Sequence, residues 1–547
     1  MAELECLPLA SGQHGEGVCF QVRLGPYWFL LDCGLTDLSA LFQSGLDSAV
    51  SSEVIVPWAG VFCSHAHSDH GRGLKELHAI APNLPIYASE VTTRLLPLAW
   101  ADPALAPPEF CIPLAWRTEY QIQPNLSAKL LPSGHLPGAA SLSLTYTAKD
   151  REYSILYTGD FFLSNSRLVE SLRLEDFRGL SPDVLIIEGS YGTAKHPHRR
   201  SQENDLAAKI IEAIALGYSA ILPVSRIGIG QEILMLLRSH HQFTGKDIDI
   251  WVDAAIALGC DAYLDLMPYL PNSVRNFAQH QPLFWDKKVR PHVGRIESGQ
   301  QLNAEPCILL VDKHSGWTEW LSKGTRPWLI LLPEFQSRGA NLSNNDFPNI
   351  SAKIDTYLLA DHSDIAGTTQ LIHNLKPQHI VFMHGSADYL ADLANLDELS
   401  NRYHVHCPPS GKRLELAVGE SFHTAIPPRS DRATPHPYEG ELAELDSAVV
   451  LTLPAEITAD SRWLNFADTG IVEARWQGEE LIIRGLTQRE LLSDELADAD
   501  NDNLRVCGNC QFYRGQRCLN LESPLSGLKV SRDGYCLAFE KIAENIE

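Results

Sequence analysis

Between positions 65 and 70 the chain carries His65, His67, Asp69 and His70, directly after the apolar run Gly60 to Cys63, which reads as the end of a buried strand. On an extended backbone His65, His67 and Asp69 share one face, because successive side chains alternate sides. A turn into a helix at His70 swings the fourth side chain to the opposite side of a metal pair. Imidazole nitrogen and carboxylate oxygen are ligands that Zn²⁺ accepts. A single His or Asp at a strand end usually caps or is solvated, whereas four at H-x-H-x-D-H spacing read as metal ligands.

The surrounding elements must bring further ligands to the same place. Two strand-like segments, Val18 to Leu24 and Tyr27 to Gly34, flank a Gly25-Pro26 turn, and Asp32 ends the second. Such an Asp commonly forms a turn; beside a metal site it would orient a ligand. Gly73 to Ile80 reads as helix and Leu84 to Ala88 as strand. His135 is bracketed by Gly134, Pro137 and Gly138, on a loop with room for close approach. Tyr153 to Asp160 reads as a strand ending in Gly159-Asp160, a second acidic terminus able to give one oxygen to each of two metals.

An Asp-ended strand, H-x-H-x-D-H, a loop His and a strand-Gly-Asp, in that order, resemble the metallo-β-lactamase superfamily. Asp183 to Gly192, a buried strand ending in Glu188 and a tight turn at Gly-Ser-Tyr191-Gly192, resembles the opening element of its β-CASP branch. That branch processes nucleic acids and includes RNase J and the pre-mRNA 3′-end endonuclease. Ala220 to Glu232, Ile248 to Ala254, Leu358 to Asp364 with His362, and His379 to Gly385 with His384 continue the resemblance in the family's order, over roughly residues 8 to 420. Leu309 to Gly316 and Leu332 to Gly339 fit only loosely. Those regions shape the substrate groove in relatives, so substrate choice is where the departure bears.

The resemblance implies an α/β fold: a metallo-β-lactamase αββα sandwich with an inserted β-CASP α/β domain and a small C-terminal four-cysteine module. The expected boundaries are 1–188 and 351–423 for the sandwich, 189–350 for the insertion, 424–440 for a linker, 441–492 for a small β-rich segment, and 493–547 for an acidic linker and the cysteine module. It also implies two Zn²⁺: His65, His67 and His135 holding one, Asp69, His70 and His384 the other, with Asp160 bridging and Asp32 behind them. His362 becomes the general acid, oriented by Glu188, with Asp69 counted in the catalytic set and Arg226 as a phosphate contact. The implied reaction is hydrolysis of RNA, endo- or 5′-exonucleolytic, by a metal-activated hydroxide. Single-stranded DNA is a second polymer substrate to test. The alternatives are a hydrolase of a small ester or thioester, and a non-catalytic scaffold in RNA processing.

Composition sets bounds on this reading. The 547 residues are 44 % hydrophobic and 20 % charged, as in a globular chain of several domains. A net charge of −24 requires any nucleic-acid contact to come from a local basic lining. No apolar run approaches a membrane span, and the acidic start lacks a signal-peptide pattern. The isolated apolar cysteines read as reduced thiols, so the expected location is the cytoplasm, the expected assembly a homodimer or a processing complex, and no membrane. In the tail, Cys507, Cys510, Cys518 and Cys536 could close a Zn²⁺ site or hold a [4Fe-4S] cluster. The ending Gly534 to Phe539 resembles small high-potential-iron-protein-like modules, and spacing alone leaves both open.

Overall fold

Several of the strands that build the two facing layers are buried along nearly their whole length. In the computed structural model the described residues are 4–13, 16–39, 41, 57–100, 106–149, 151–296, 302, 305–323, 327–334 and 352–419, then 472–477, 480–485, 507, 510–514 and 517–520. The linker expected at 424–440, the acidic run 493–502 and Cys536 lie outside them. The first sheet holds β1 (Leu4–Ser11), β2 (Val18–Leu24), β3 (Tyr27–Leu31), β4 (Trp58–Phe62), β5 (Ile86–Ser89) and β6 (Cys111–Leu114) in that order. Its first three strands are antiparallel and the rest parallel. The second sheet runs from β7 (Glu119–Gln123) through β8 (Leu126–Pro132), β9 (Ala140–Thr147) and β10 (Glu152–Tyr157) to β11 (Val184–Glu188).

After β11 the chain leaves for a third, all-parallel sheet of β12 (Ser219–Val224), β13 (Asp249–Val252), β14 (His292–Arg295), β15 (Cys307–Asp312), β16 (Trp328–Pro333) and β17 (Ala352–Tyr357), in the order β14-β13-β15-β12-β16-β17. The return segment expected from 351 therefore opens on an edge strand of this inserted sheet, paired from Trp328↔Ala352 to Pro333↔Tyr357. The chain then re-enters the second sheet with β18 (His379–Met383), parallel to β11, and β19 (His404–His406). It closes the first sheet with β20 (Leu414–Glu415) against β1.

β11 shows how the layers pack. All five residues are buried, as in parallel strands covered on both faces. Val184 and Ile186 face Phe20, Val22 and Phe29 of the opposite sheet, while Leu185 and Ile187 pack with Leu371, Ile372 and Leu375 of the helix Ile365–Leu375. Helices Leu74–Ile80 and Glu90–Ala99 pack Leu74, Leu77, Leu95 and Leu96 on the outer face of the first sheet, against Leu30 and Val61. The order is helix, sheet, sheet, helix. At one edge, β3, β4, β8, β10, β11 and β18 all end, and each runs into a residue of the expected site.

The chain divides into two compact units, Met1–Arg429 and Ser430–Glu547. In the second, Val472–Gln477 pairs antiparallel with Glu480–Gly485, and Tyr513–Arg514 with Arg517–Cys518. Among the described residues no helix is long and apolar enough to cross a membrane.

Candidate metal centre

β4 ends at Phe62 and its continuation lays out Ser64 to His67 before the single helical turn Ser68–Gly71. That turn carries Asp69 and His70, and brings the His70 ring to 4.0 Å from that of His65 between centroids. Gly34 is what lets it sit there: a Cβ at Gly34 would stand 1.6 Å from the Asp69 carbonyl oxygen. Asp32, just past β3, and His384, just past β18, both hold left-handed backbone, at φ 59° and 50°. Each such residue costs on the order of 1–3 kcal/mol and persists only where its surroundings fix it. Here the hydrogen bonds of the site supply that.

Two sets of candidate ligands meet at one carboxylate. In the first, His67 Nδ1 lies 3.1 Å from both His65 Nε2 and His135 Nε2, and Asp160 Oδ2 lies 3.5 Å from His65 Nε2 and 3.8 Å from His135 Nε2. A tetrahedron with Zn–N distances of ~2.0–2.1 Å has an edge of about 3.3 Å, so these nitrogens already stand near ligand spacing. The second set is Asp69, His70 and His384. His384 Nε2 is 3.4 Å from Asp69 Oδ2, and His70 Nε2 is 3.3 Å from Asp160 Oδ2. His70 Nε2 and Asp160 Oδ1 are buried without a hydrogen-bond partner, which is costly unless something else satisfies them.

The proton positions follow from the partners on the far side of each ring. His70 Nδ1 must donate to Asp32 Oδ2 at 2.7 Å, His135 Nδ1 to the Asp361 carbonyl at 2.8 Å, and His67 Nε2 to the Ile227 carbonyl at 3.2 Å. Ser64 Oγ donates to Asp32, so it accepts from His65 Nδ1 at 3.0 Å. Ser190 Oγ donates to Glu188, so it accepts from His384 Nδ1 at 2.7 Å. In the neutral form every one of the five imidazoles therefore turns a lone pair toward Asp160 and Asp69, the arrangement that fixes metal-binding histidines. Asp32 itself accepts from Ser64 N at 2.6 Å and from Tyr157 Oη at 2.5 Å.

Charge follows the same division. Burial, then the neighbouring imidazoles, holds His65, His67 and His135 below the ordinary imidazole value, to about 3 for His67, so their lone pairs are free at neutral pH. Burial also opposes charge on His70 and His384. There the carboxylates outweigh it, Asp160 and Asp32 for His70 and Asp160 and Asp69 for His384, and both rise. The centre thus carries more carboxylate than cation around His70 and His384. Donor chemistry, spacing and orphaned atoms all fit a divalent metal there.

Beside the two sets, His362 Nδ1 is 2.9 and 3.0 Å from the two Glu188 oxygens, and Glu188 also accepts from Phe161 N at 2.9 Å. Burial opposes the charge on His362, but Glu188, then Asp361 and Asp160, push it up to about 10. His362 lines the open cleft together with His67, Asp69, Asp160 and His384, its Nε2 3.7 Å from Asp361 Oδ1. Arg226 lines the same cleft with Nη2 on Asp312 Oδ2 at 2.7 Å and Nη1 on the Leu98 carbonyl at 3.2 Å.

So β3, β4, β8, β10, β11 and β18 bring His65, His67, Asp69, His70, His135, Asp160, Glu188, His384 and Asp32 together, the loop between β17 and the helix Ile365–Leu375 adds His362, and Arg226 stands on the cleft wall. Cys507, Cys510 and Cys518 belong to the other unit. Ser64, Tyr157, Ser190 and the Asp361 carbonyl were not anticipated. Ser64 and Ser190 sit inside the motifs themselves, which was the available signal.

A beta-lactamase superfamily domain matches residues 27–216, and a Zn-dependent metallo-hydrolase RNA specificity domain matches residues 348–408. An uncharacterized protein of Synechocystis sp. is 44 % identical over all of this chain and 98 % of its own length. Integrator complex subunit 11 of Danio rerio is 21 % identical over 83 % of each chain. A probable RNase of Methanocaldococcus jannaschii is 29 % identical over 41 % of this chain and 54 % of its own.

Proposed function

Because the chain belongs to the metallo-β-lactamase superfamily, in its β-CASP branch, and is a metal-dependent hydrolase, we propose that it hydrolyses phosphodiester bonds of RNA at a two-Zn²⁺ centre, endonucleolytically or from the 5′ end. One observation carries the reading: a charged His362, clamped by Glu188, lines the cleft beside His65, His67 and His135 on one side and Asp69, His70 and His384 on the other, with Asp160 in contact with both sets. His65, His67 and His135 would hold one ion, Asp69, His70 and His384 the other, and Asp160 both. Bound there, divalent ions polarise phosphoryl oxygens and bring the pKa of a bound water toward neutrality.

The chain's own side chains do the rest. Asp32 keeps the His70 lone pair turned inward, and Ser190 does the same for His384. Glu188 favours the imidazolium of His362, and His362 Nε2–H gives its proton to the oxygen that leaves phosphorus. With the nearest carboxylate 2.9 Å from Nδ1, the ring cannot turn its other nitrogen to the cleft without losing that bond. The relatives' names support RNA as the polymer.

The test offers 5′-labelled RNA, single-stranded DNA and a generic ester to metal-quantified protein, with His362→Ala and Asp69→Ala alongside. RNA cleavage lost in both variants is the expected result. Ester turnover without nuclease activity favours the small-substrate hydrolase, and bound metal without turnover favours a scaffold.

For the tail we propose a Zn²⁺ or [4Fe-4S] site on Cys507, Cys510, Cys518 and Cys536. Its support is the tight turn that returns Cys510 N to the Cys507 carbonyl at 3.0 Å, followed by the hairpin ending at Cys518. A visible absorbance band means the cluster, and a colourless sample with additional zinc means a zinc site. Buried free thiols such as Cys19, Cys33 and Cys63 fit a reducing cytoplasm, and self-association or membership of a processing complex is checked by size-exclusion light scattering.

A further inference from the structure

The chain's net charge of −24 makes a polyanionic substrate an electrostatic problem. The cleft carries acidic side chains too, Glu334, Asp361 and Asp388 among them, so a strand has to be met by the cations on its wall. Its cavity of about 1040 Å³ carries the metal-centre side chains and also Arg72, Arg226, Lys313 and His314. That is far more room than a single phosphodiester needs. Arg72 follows directly from the helical turn of Asp69 and His70, and is braced by the Ser68 carbonyl at 3.1 Å and Thr36 Oγ1 at 3.1 Å. Arg226 precedes Ile227, whose carbonyl holds His67.

Lys313 and His314 come from the end of β15, the stretch that fits the family pattern only loosely. Asp312 organises that end. Its Oδ1 accepts from His314 N at 3.1 Å, its Oδ2 from Arg226, and its own N donates to Asp253 Oδ2 at 2.6 Å, while Lys313 N bonds the Val224 carbonyl at 2.8 Å. Burial, then the positive charge of Lys313 with Arg226 and Arg72, keeps the His314 imidazole low, so these groups lie close enough to feel one another. Arg226 is half-neutralised by Asp312. Among the described residues neither Arg72 nor Lys313 forms an ion pair with a carboxylate, and the Asp312 beside them is engaged by Arg226. Trp100, fixed by its indole N–H on the Gly71 carbonyl at 2.9 Å, adds an aromatic face to the same cleft. Cations beside an aromatic ring are how single strands are bound without sequence readout, and here the ring is half-buried against Phe110.

We propose that Arg72 and Lys313, with Arg226 and His314 beside them, form a phosphate-binding station for single-stranded RNA, gripping the phosphates that neighbour the one being hydrolysed. This rests on the RNA reading above. It assigns the cleft's affinity for a strand, as distinct from its chemistry, to a wall outside the metal ligands.

The experiment measures binding of a 3′-fluorescent 20-nucleotide single-stranded RNA by anisotropy across a salt series. The protein carries His362→Ala so that the strand survives, with and without Arg72→Ala and Lys313→Ala together. Each lost phosphate contact removes about 0.7 from the slope of log K against log salt, so two remove about 1.4 and weaken binding about 25-fold at 0.1 M salt. In the His362-intact protein the same double variant should turn over bis(p-nitrophenyl) phosphate, a one-phosphate substrate, at the wild-type rate, which reports an intact centre and fold. An unchanged slope and affinity in the double variant overturns the station while leaving the hydrolase reading standing. Failure of the parent protein to bind RNA at all overturns both, and loss of bis(p-nitrophenyl) phosphate turnover in the double variant assigns Arg72 and Lys313 to the centre itself and overturns the separation proposed here.

Discussion

The molecule has a second histidine cluster, and setting it beside the first shows what makes a metal centre. On β18 and β19, His379 Nδ1 lies 3.0 Å from His406 Nε2, and the His404 ring stacks on His379 at 5.0 Å between centroids. At the sheet edge, His67 Nδ1 lies 3.1 Å from two imidazole nitrogens. By nitrogen spacing the two sites are alike. They differ in what completes each ring. His379 Nε2 donates to the Ala417 carbonyl at 2.8 Å, and its Nδ1 is used by His406. That leaves the pair satisfied, and among the described residues no carboxylate joins it in an ion pair. At the other site five second nitrogens are tied off by Asp32, Ser64, Ser190 and two carbonyls, and the remaining lone pairs converge on Asp69 and Asp160. Convergent unsatisfied lone pairs with carboxylates mark the metal centre; histidine count does not.

The comparison breaks most visibly at Asp160. Asp160→Ala removes the shared ligand, so RNA hydrolysis should fall to background and active-centre zinc should be lost, read by metal analysis of the purified variant. His362→Ala should cost about 10²–10⁴ in kcat, the usual contribution of a general acid, with metal content unchanged. Metal loss in that variant would make His362 a ligand. Asp32→Asn keeps the shape but replaces the carboxylate behind His70 with a neutral amide, and should lower zinc affinity about 10–100-fold in a chelator competition.

His406→Ala is the control on the other cluster, where zinc content and hydrolysis should not change. The stability cost should be about 0.5–1.5 kcal/mol, that of one hydrogen bond, by urea denaturation. That same pair gives the smallest effect, in pH. Burial, with His379 and His404 beside it, lowers His406 to about 4, below the ~6.5 of an unfolded imidazole. The unfolded chain then binds the proton first, so this pair's stabilisation is whole above about pH 6.5 and is lost as pH falls toward 4. Denaturation midpoints at pH 7 and pH 5 should therefore drop less in His406→Ala than in the wild type.

Much of the first site was legible because its proposed ligands sit at strand ends, where sequence shows both the apolar run and the residue after it. H-x-H-x-D-H is contiguous and speaks for itself. His135, Asp160, Glu188, His362 and His384 needed the family's order, since a lone Gly-Asp or strand-His occurs widely. The hydroxyls of Ser64, Tyr157 and Ser190 were not legible. Each joins partners that only folding brings together: Ser64 links His65 to Asp32, Ser190 links Glu188 to His384, and Tyr157 Oη reaches Asp32 across 125 positions. Arg226 illustrates the same limit, because its partner Asp312 lies 86 positions away on another strand. The edge strand β17 was assigned by position to the return segment, since an amphipathic strand carries no mark of which sheet it will join.

The central claim is that lone pairs from five histidines and two aspartates cage divalent ions. Anomalous scattering from a crystal of the zinc-loaded protein, collected on both sides of the zinc edge, tests it most directly. The account predicts two peaks at the edge of the two facing sheets, one within His65, His67 and His135, the other within Asp69, His70 and His384, both against Asp160. Zinc bound elsewhere on the first unit, with no peak inside that cage, would contradict it.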